Sequence, residues 1–177
     1  MEEKTAGQLL REQLLDKKKN GWDVVDAAAE QAIHDYCEGY KTFLDRGKTE
    51  RCCVKYAVEL AEAAGFVALE RGMELKPGMK VYRVNRGRAM ELAVIGSAPL
   101  DQGVSIVAAH IDSPRLDLKP APLYEADELA FLKTHYYGGI RKYQWVTIPL
   151  ELRGVVALKN GSVVEVAIGS QPGDPQF

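Results

Sequence analysis

The chain has 177 residues, with 23 Lys and Arg against 25 Asp and Glu, which gives a formal net charge of −2. Its apolar content of 46% can build a hydrophobic core and excludes a wholly disordered chain. The near-neutral charge gives no electrostatic reason to expect nucleic acid as a partner, because proteins that bind it usually carry a basic excess on one face.

The first half of the chain has helical periodicity. Residues 6–16 and 22–46 are predicted to form two helices with a short break between them. A third helix is predicted to begin after Thr49, a plausible N-cap, and to end at Gly65. Its apolar stripe consists of Val54, Ala57, Val58 and Ala61.

From Lys80 onward the pattern becomes β-like. Residues 81–84 and 90–95 are predicted strands on either side of a turn at residues 85–87. The run 104–109 is almost continuously apolar, which is typical of a strand covered on both faces. Helices followed by a buried strand favour an α/β fold.

After Pro114 the chain is rich in proline, tyrosine and short β runs. Residues 148–156 and 162–168 flank Lys-Asn-Gly at 159–161, and Asn-Gly is a strong signal for a hairpin turn. We therefore predict a domain boundary near residues 113–120, with a β-rich unit after it.

The cysteines and the N-terminal sequence bear on the cellular compartment. Cys37, Cys52 and Cys53 are odd in number and form no Cys-x-x-Cys pair, which favours a reducing compartment over a disulfide framework. The charged N-terminus is not followed by the apolar core of a signal peptide, and no apolar run reaches the roughly 20 residues of a membrane span. We expect a cytoplasmic protein without a membrane partner.

His110 and Asp112 are the sharpest candidates for chemistry. They directly follow the apolar run, and side chains two residues apart on a strand point to the same side. Open α/β sheets bind ligands at the carboxyl ends of their strands. An imidazole there can bind a metal while a carboxylate holds its other ring nitrogen. The pattern alone equally describes a histidine satisfied by a local carboxylate.

The other two histidines are weaker candidates. His34 is predicted to be a surface or packing residue of a helix, and His135 a hydrogen-bonded structural residue. The sequence contains neither a Gly-x-Gly-x-x-Gly loop nor a Gly-x-Ser-x-Gly elbow, so no dinucleotide loop or serine nucleophile is predicted.

Three segments resemble one family of enzymes. Residues 107–115, VAAHIDSPR, resemble the zinc-ligand motif of the aspartyl aminopeptidase-like family of metallopeptidases. Residues 133–140, KTHYYGGI, continuing through YQW to Pro149, are similar to the bacterial branch of that family, and so are residues 17–22, KKKNGW. The segments lie in order along nearly the whole chain and are together far more specific than His-x-Asp alone.

The resemblance implies a two-zinc aminopeptidase acting on peptides, with an α/β catalytic domain interrupted by a β-rich dimerisation domain. By that analogy His110 is a zinc ligand and Asp112 is its partner in the catalytic site. Residues 1–112 would be the N-terminal part of the catalytic domain. Residues 113–177 would begin the inserted domain, through which the protein would form a homo-oligomer.

The chain departs from the family pattern in two respects. In the eukaryotic branch the Gly-Gly stretch continues with Asp-Arg-Asp, whereas residues 146–149 here read Val-Thr-Ile-Pro, so no role of those aspartates is carried over. Complete members of the family are also much longer. We therefore expect an N-terminal portion that has no peptidase activity by itself, with the other metal ligands and the general-base glutamate beyond it.

Two other classes stay open from the sequence. In a mononuclear iron oxygenase, His110, Asp112 and a distant histidine would form a facial triad, for which His135 is the downstream candidate. In a non-catalytic assembly module, the chain would only pair with partner chains.

Overall fold

The computed structural model describes residues 4–175 of the chain. The chain forms two compact units, one ending at Thr42 and the other beginning at Phe43. The boundary predicted near residues 113–120 lies within the second unit, and the division into residues 1–112 and 113–177 stays a prediction.

The first unit contains a short helix, α1 (Ala6–Leu14), and most of a long one, α2 (Ala27–Arg46). Between them lies a single 3₁₀ turn, Gly21–Asp23. Helix α1 begins with a capping box, in which the side chains of Thr5 and Gln8 each accept a hydrogen bond from the other residue's backbone N–H.

Both helices are shorter than predicted, and for the second one the reason is local capping. The Asn20 side chain accepts a hydrogen bond from Trp22 N–H and starts the 3₁₀ turn. The Asp26 carboxylate accepts one from Ala29 N–H at 2.8 Å, directly before α2. Since each cap satisfies a separate helix start, the predicted helix over 22–46 divides in two.

Helix α3 (Glu50–Ala63) opens the regular part of the second unit and confirms the predicted cap. Thr49 accepts a hydrogen bond from Cys52 N–H at 3.3 Å, and Gly65, with φ of +83°, follows the last turn. The buried core of the described residues consists of Cys53, Val54 and Ala61 from this helix and Val81 from the adjoining sheet.

That sheet has three strands in the order β1-β2-β3. Strand β2 (Lys80–Asn85) is parallel to β1 (Val67–Ala68) and antiparallel to β3 (Ala89–Val94). Arg86 and Gly87 form the predicted turn between β2 and β3, both with positive φ.

Two separate hairpins follow. Strands β4 (Arg115–Ala126) and β5 (Leu129–Tyr137) pair antiparallel, with a register shift between Leu118 and Leu123. A four-residue helix, α4 (Lys142–Trp145), comes next.

The second hairpin pairs β6 (Leu152–Ala157) with β7 (Val163–Ile168). Its turn contains the predicted Asn-Gly pair, and Asn160 Oδ1 accepts a hydrogen bond from Ser162 N–H at 3.0 Å. The hairpin is confirmed, although β6 begins at Leu152 and not at residue 148.

The strand predicted over residues 104–109 is not formed, and that prediction is wrong for the described residues. The segment has no regular secondary structure, and Val104, Ile106 and Val107 are 61%, 79% and 100% exposed. A strand needs neighbours for its N–H and C=O groups, and none of the strands within residues 4–175 pairs with this segment. The mixture of helices and strands nevertheless agrees with the predicted α/β class.

None of the helices in the described part of the chain combines the length and apolar content that crossing a membrane requires.

Candidate metal centre

His110 lies in the segment that leads into β4, and its side chain is 82% exposed. Its Nδ1 lies 2.9 Å from the carbonyl oxygen of Asp112 and 3.1 Å from Oδ1 of the same residue. Because both are acceptors, the neutral ring carries its proton on Nδ1 and presents a lone pair on Nε2. Nε2 has no hydrogen-bond partner among the described residues.

Asp112 is held from its other side by a tyrosine. Tyr137 donates a hydrogen bond from its hydroxyl to Asp112 Oδ2 at 2.6 Å. This hydrogen bond, aided by the neighbouring His110, lowers the pKa of Asp112 below its ordinary value, and it raises the pKa of Tyr137. The carboxylate is therefore ionised at neutral pH, with one oxygen on the imidazole and the other on the phenol.

The ring of Tyr137 rests on Arg115, its cross-strand neighbour in the first hairpin. The guanidinium carbon lies 3.9 Å from the ring centroid, a cation–π contact. The same guanidinium donates to Asp117 at 2.8 Å and lies 3.0 Å from Glu50, the first residue of α3. The tyrosine is thus fixed by both the hairpin and the helix.

Gly138 lets the chain turn directly after Tyr137. Its φ is +71°, and a Cβ there would lie 3.4 Å from Pro114 Cα and Cγ. A side chain at this position would be strained by its backbone conformation, and its Cβ would be in van der Waals contact with the proline. The glycine therefore allows the end of β5 to pass close to the segment that carries Asp112.

The two side chains singled out from the sequence are thus in contact, although not at the end of a buried strand. An imidazole that gives one nitrogen to a carboxylate and keeps the other accessible has the donor arrangement of a zinc-bound histidine. Residues 4–175 contain no group of three or more His, Cys, Asp or Glu side chains that could hold a metal ion. A zinc site requires three or four protein ligands. The described residues therefore fit zinc only as the source of one of them, His110.

The remaining histidines lie elsewhere. His135 stands opposite Asp117 in the β4–β5 register and stacks on Tyr136, with ring centroids 5.2 Å apart. The facial triad of the iron alternative is not formed by the described residues. His34 is an exposed residue that stacks on Trp22 at 6.3 Å, in agreement with its predicted surface role.

Sequence reasoning missed Tyr137, which donates to Asp112, and it missed Arg115 and Glu50, which anchor that tyrosine. Arg115 and Tyr137 lie within two of the three family-like segments, but no role follows from that. Their pairing depends on the hairpin register, which shifts between Leu118 and Leu123 and which no local pattern specifies.

The chain matches a known protein family over most of its length. The sequence model of the family described as "Aminopeptidase I zinc metalloprotease (M18)" matches residues 43–175. This chain belongs to the M18 family. The predicted resemblance to a family of zinc aminopeptidases is thereby confirmed.

Bacterial M18 proteins are among the relatives that this chain matches. It is 46% identical over 168 residues to the "Probable M18 family aminopeptidase 1" of Clostridium acetobutylicum, a match that covers 93% of this chain and 36% of the relative. The crystal structure of aminopeptidase I from Borrelia burgdorferi B31 is 43% identical, with a TM-score of 0.85, and covers 90% of this chain and 39% of that one. The chain thus spans about a third of the length of the curated relatives it matches.

A more distant structure shares the fold. The S. cerevisiae mApe1 dodecamer is 19% identical with a TM-score of 0.64, and the match covers 80% of this chain and 34% of that one.

Proposed function

We propose that this M18 chain contributes a zinc ligand, His110, and its orienting carboxylate, Asp112, to an aminopeptidase that hydrolyses the N-terminal peptide bond of peptides. The observation that carries the proposal is the Asp112 contact to Nδ1 of His110, which leaves Nε2 available to a metal. Family membership supports both the zinc and the peptidase chemistry.

Each of the two residues would have a distinct task. His110 would hold a zinc ion through Nε2, and Asp112 would keep the proton on Nδ1 and fix the plane of the ring. The negative charge of Asp112 would also make the imidazole a better donor. A pair of zinc ions, when bound, supplies Lewis-acid catalysis and lowers the pKa of a bound water.

We further propose that the protein forms a homo-oligomer through the β-rich residues 113–177. The distant mApe1 structure is described as a dodecamer. Within residues 4–175 the hairpins β4–β5 and β6–β7 are two-stranded, so each has unpaired strand edges there, and such edges favour pairing with another chain. We also place the protein in the cytoplasm, since its three cysteines are free thiols.

The test compares His110→Ala with His34→Ala in the assembled enzyme, in which the remaining metal ligands are present, using elemental analysis for zinc and release of N-terminal residues from a peptide panel. We expect His110→Ala to lose most of one zinc equivalent and most of the activity. The exposed His34 lies outside the candidate site, so His34→Ala should match the wild type. Unchanged zinc content in His110→Ala would overturn the proposal.

The same samples separate the alternatives. Bound iron, and its loss in His135→Ala, would favour the oxygenase reading. Absence of any metal from the native protein would favour an assembly module.

A further inference from the structure

We propose that Tyr137 is a positioning residue for the metal-binding histidine, acting through Asp112. The inference rests on the proposed function, because it concerns how the chain orients His110 toward zinc. It adds a residue from β5, which lies in the part of the chain predicted to be the inserted domain.

The Asp112 carboxylate is held at both of its oxygens. Asp112 uses Oδ1 for His110, at 3.1 Å, and Oδ2 for Tyr137, at 2.6 Å. Two contacts on different oxygens fix the rotation of the carboxylate as well as its position. A phenol bonded to an ionised carboxylate forms a short, charge-assisted hydrogen bond, which is among the stronger kinds.

The segment that carries His110 and Asp112 has little regular structure of its own. Residues 103–114 form no regular secondary structure, and His110 is largely exposed. Its contact to Asp112 joins two residues of the same segment, only two positions apart. Such a local contact cannot by itself fix either side chain relative to the rest of the second unit. Tyr137 lies 25 residues away from Asp112 in the chain and belongs to a paired strand, so its hydroxyl ties the segment to the hairpin.

Tyr137 is itself anchored through the face of its ring. Its ring lies on Arg115, and that guanidinium is paired with Glu50 of α3. These contacts limit where the hydroxyl can point. They involve the ring face and not the hydroxyl, so removal of the oxygen alone should leave the ring in place.

The experiment is the substitution Tyr137→Phe, with Tyr136→Phe as its matched control. Tyr136 is the preceding residue of β5, and its hydroxyl makes no hydrogen bond within residues 4–175. Zinc affinity of the native protein is measured by competition with a chelator, and the His110 ring nitrogens are observed by ¹⁵N NMR of the metal-free protein. We expect Tyr137→Phe to weaken zinc binding about tenfold, the lower end of the range for partners of metal ligands. The Nδ1-protonated tautomer should also become less dominant, whereas Tyr136→Phe should leave both readouts unchanged.

A double-mutant cycle tests the route of the effect. If Tyr137 acts through Asp112, adding Tyr137→Phe to Asp112→Asn should produce little further loss of zinc affinity. Full additivity of the two substitutions would overturn the proposal. Wild-type zinc affinity and tautomer balance in Tyr137→Phe would overturn it as well.

Failure of this inference is distinguishable from failure of the proposed function. If His110→Ala loses zinc while Tyr137→Phe behaves like the wild type, only the positioning role is wrong. If His110→Ala retains all its zinc, the proposed function itself is wrong.

Discussion

Arg115 Nη1 lies 3.0 Å from Glu50 Oε1, so the first residue of β4 is joined to the first residue of α3. The same guanidinium also donates to Asp117 and lies on the ring of Tyr137. One arginine therefore connects the helix, the hairpin and, through the tyrosine, the candidate metal ligand.

Arg115→Lys should lower the free energy of unfolding by about 1 kcal/mol, because an ammonium group cannot make the forked contacts of a guanidinium and stacks less well on a ring. Chemical denaturation measures the change. Arg83→Lys is the control, since Arg83 is an exposed residue of β2. An equal effect of the two substitutions would contradict the connecting role of Arg115.

Asp112→Asn should weaken zinc binding in the native protein by about 10–100-fold, because the amide carries no charge and is a poorer partner for Nδ1. Chelator competition measures this change. Asp101→Asn is a suitable control, because Asp101 lies in an exposed 3₁₀ turn. Wild-type affinity in Asp112→Asn would mean that the carboxylate has only a local structural role.

Gly169→Ala should lower the free energy of unfolding by about 2 kcal/mol or more, because the alanine would have to adopt a backbone conformation that residues with a side chain rarely adopt. Gly169 has φ of +108°, and a Cβ there would lie 2.9 Å from the Leu150 carbonyl oxygen and 3.0 Å from Glu151 Cα. Gly154→Ala in β6 is the control, because a Cβ there meets nothing within 4 Å. Equal denaturation midpoints for the two variants would refute the steric argument.

The stabilising effect of Asp174 should depend on pH. Its Oδ2 accepts hydrogen bonds from the backbone N–H groups of Gln171, at 3.0 Å, and Gly169, at 2.9 Å, and these lower the pKa of Asp174. A lowered folded-state pKa means that the contribution is complete above the unfolded value of about 4 and is lost as pH falls through the lower folded value.

The difference in stability between the wild type and Asp174→Ala should therefore be largest near pH 7 and shrink below about pH 4. Denaturation at several pH values measures it. A difference that does not change with pH would show that the carboxylate charge is unimportant.

The chain should self-associate at micromolar concentration, and Val164→Lys should weaken that association. Val156 and Val164 are cross-strand neighbours on an apolar face of β6–β7, and both are 48% exposed. Val163→Lys, on the opposite face, is the control. Sedimentation of the wild type as a monomer would contradict the proposed role of residues 113–177 in association.

Features that depend on neighbours in the chain could be predicted from the sequence. The Thr49 cap, the Gly65 stop and the Asn-Gly turn each involve residues only a few positions apart, so local preference decides them. The contact between His110 and Asp112 is of the same kind, since the two residues are only two positions apart in the chain. The resemblance to the zinc aminopeptidase family could likewise be recognised from the sequence, because the segments that carry it are continuous stretches of residues.

Features that depend on distant partners were decided only by the tertiary structure. The apolar run at 104–109 has the pattern of a buried strand, but a strand forms only where another segment offers backbone hydrogen bonds. The hydrogen bond from Tyr137 to Asp112 joins residues 25 positions apart across a hairpin with a shifted register. Side-chain periodicity specifies which face of a strand a residue occupies. Strand pairing specifies which residue it contacts on the neighbouring strand, and that pairing depends on how the whole chain packs.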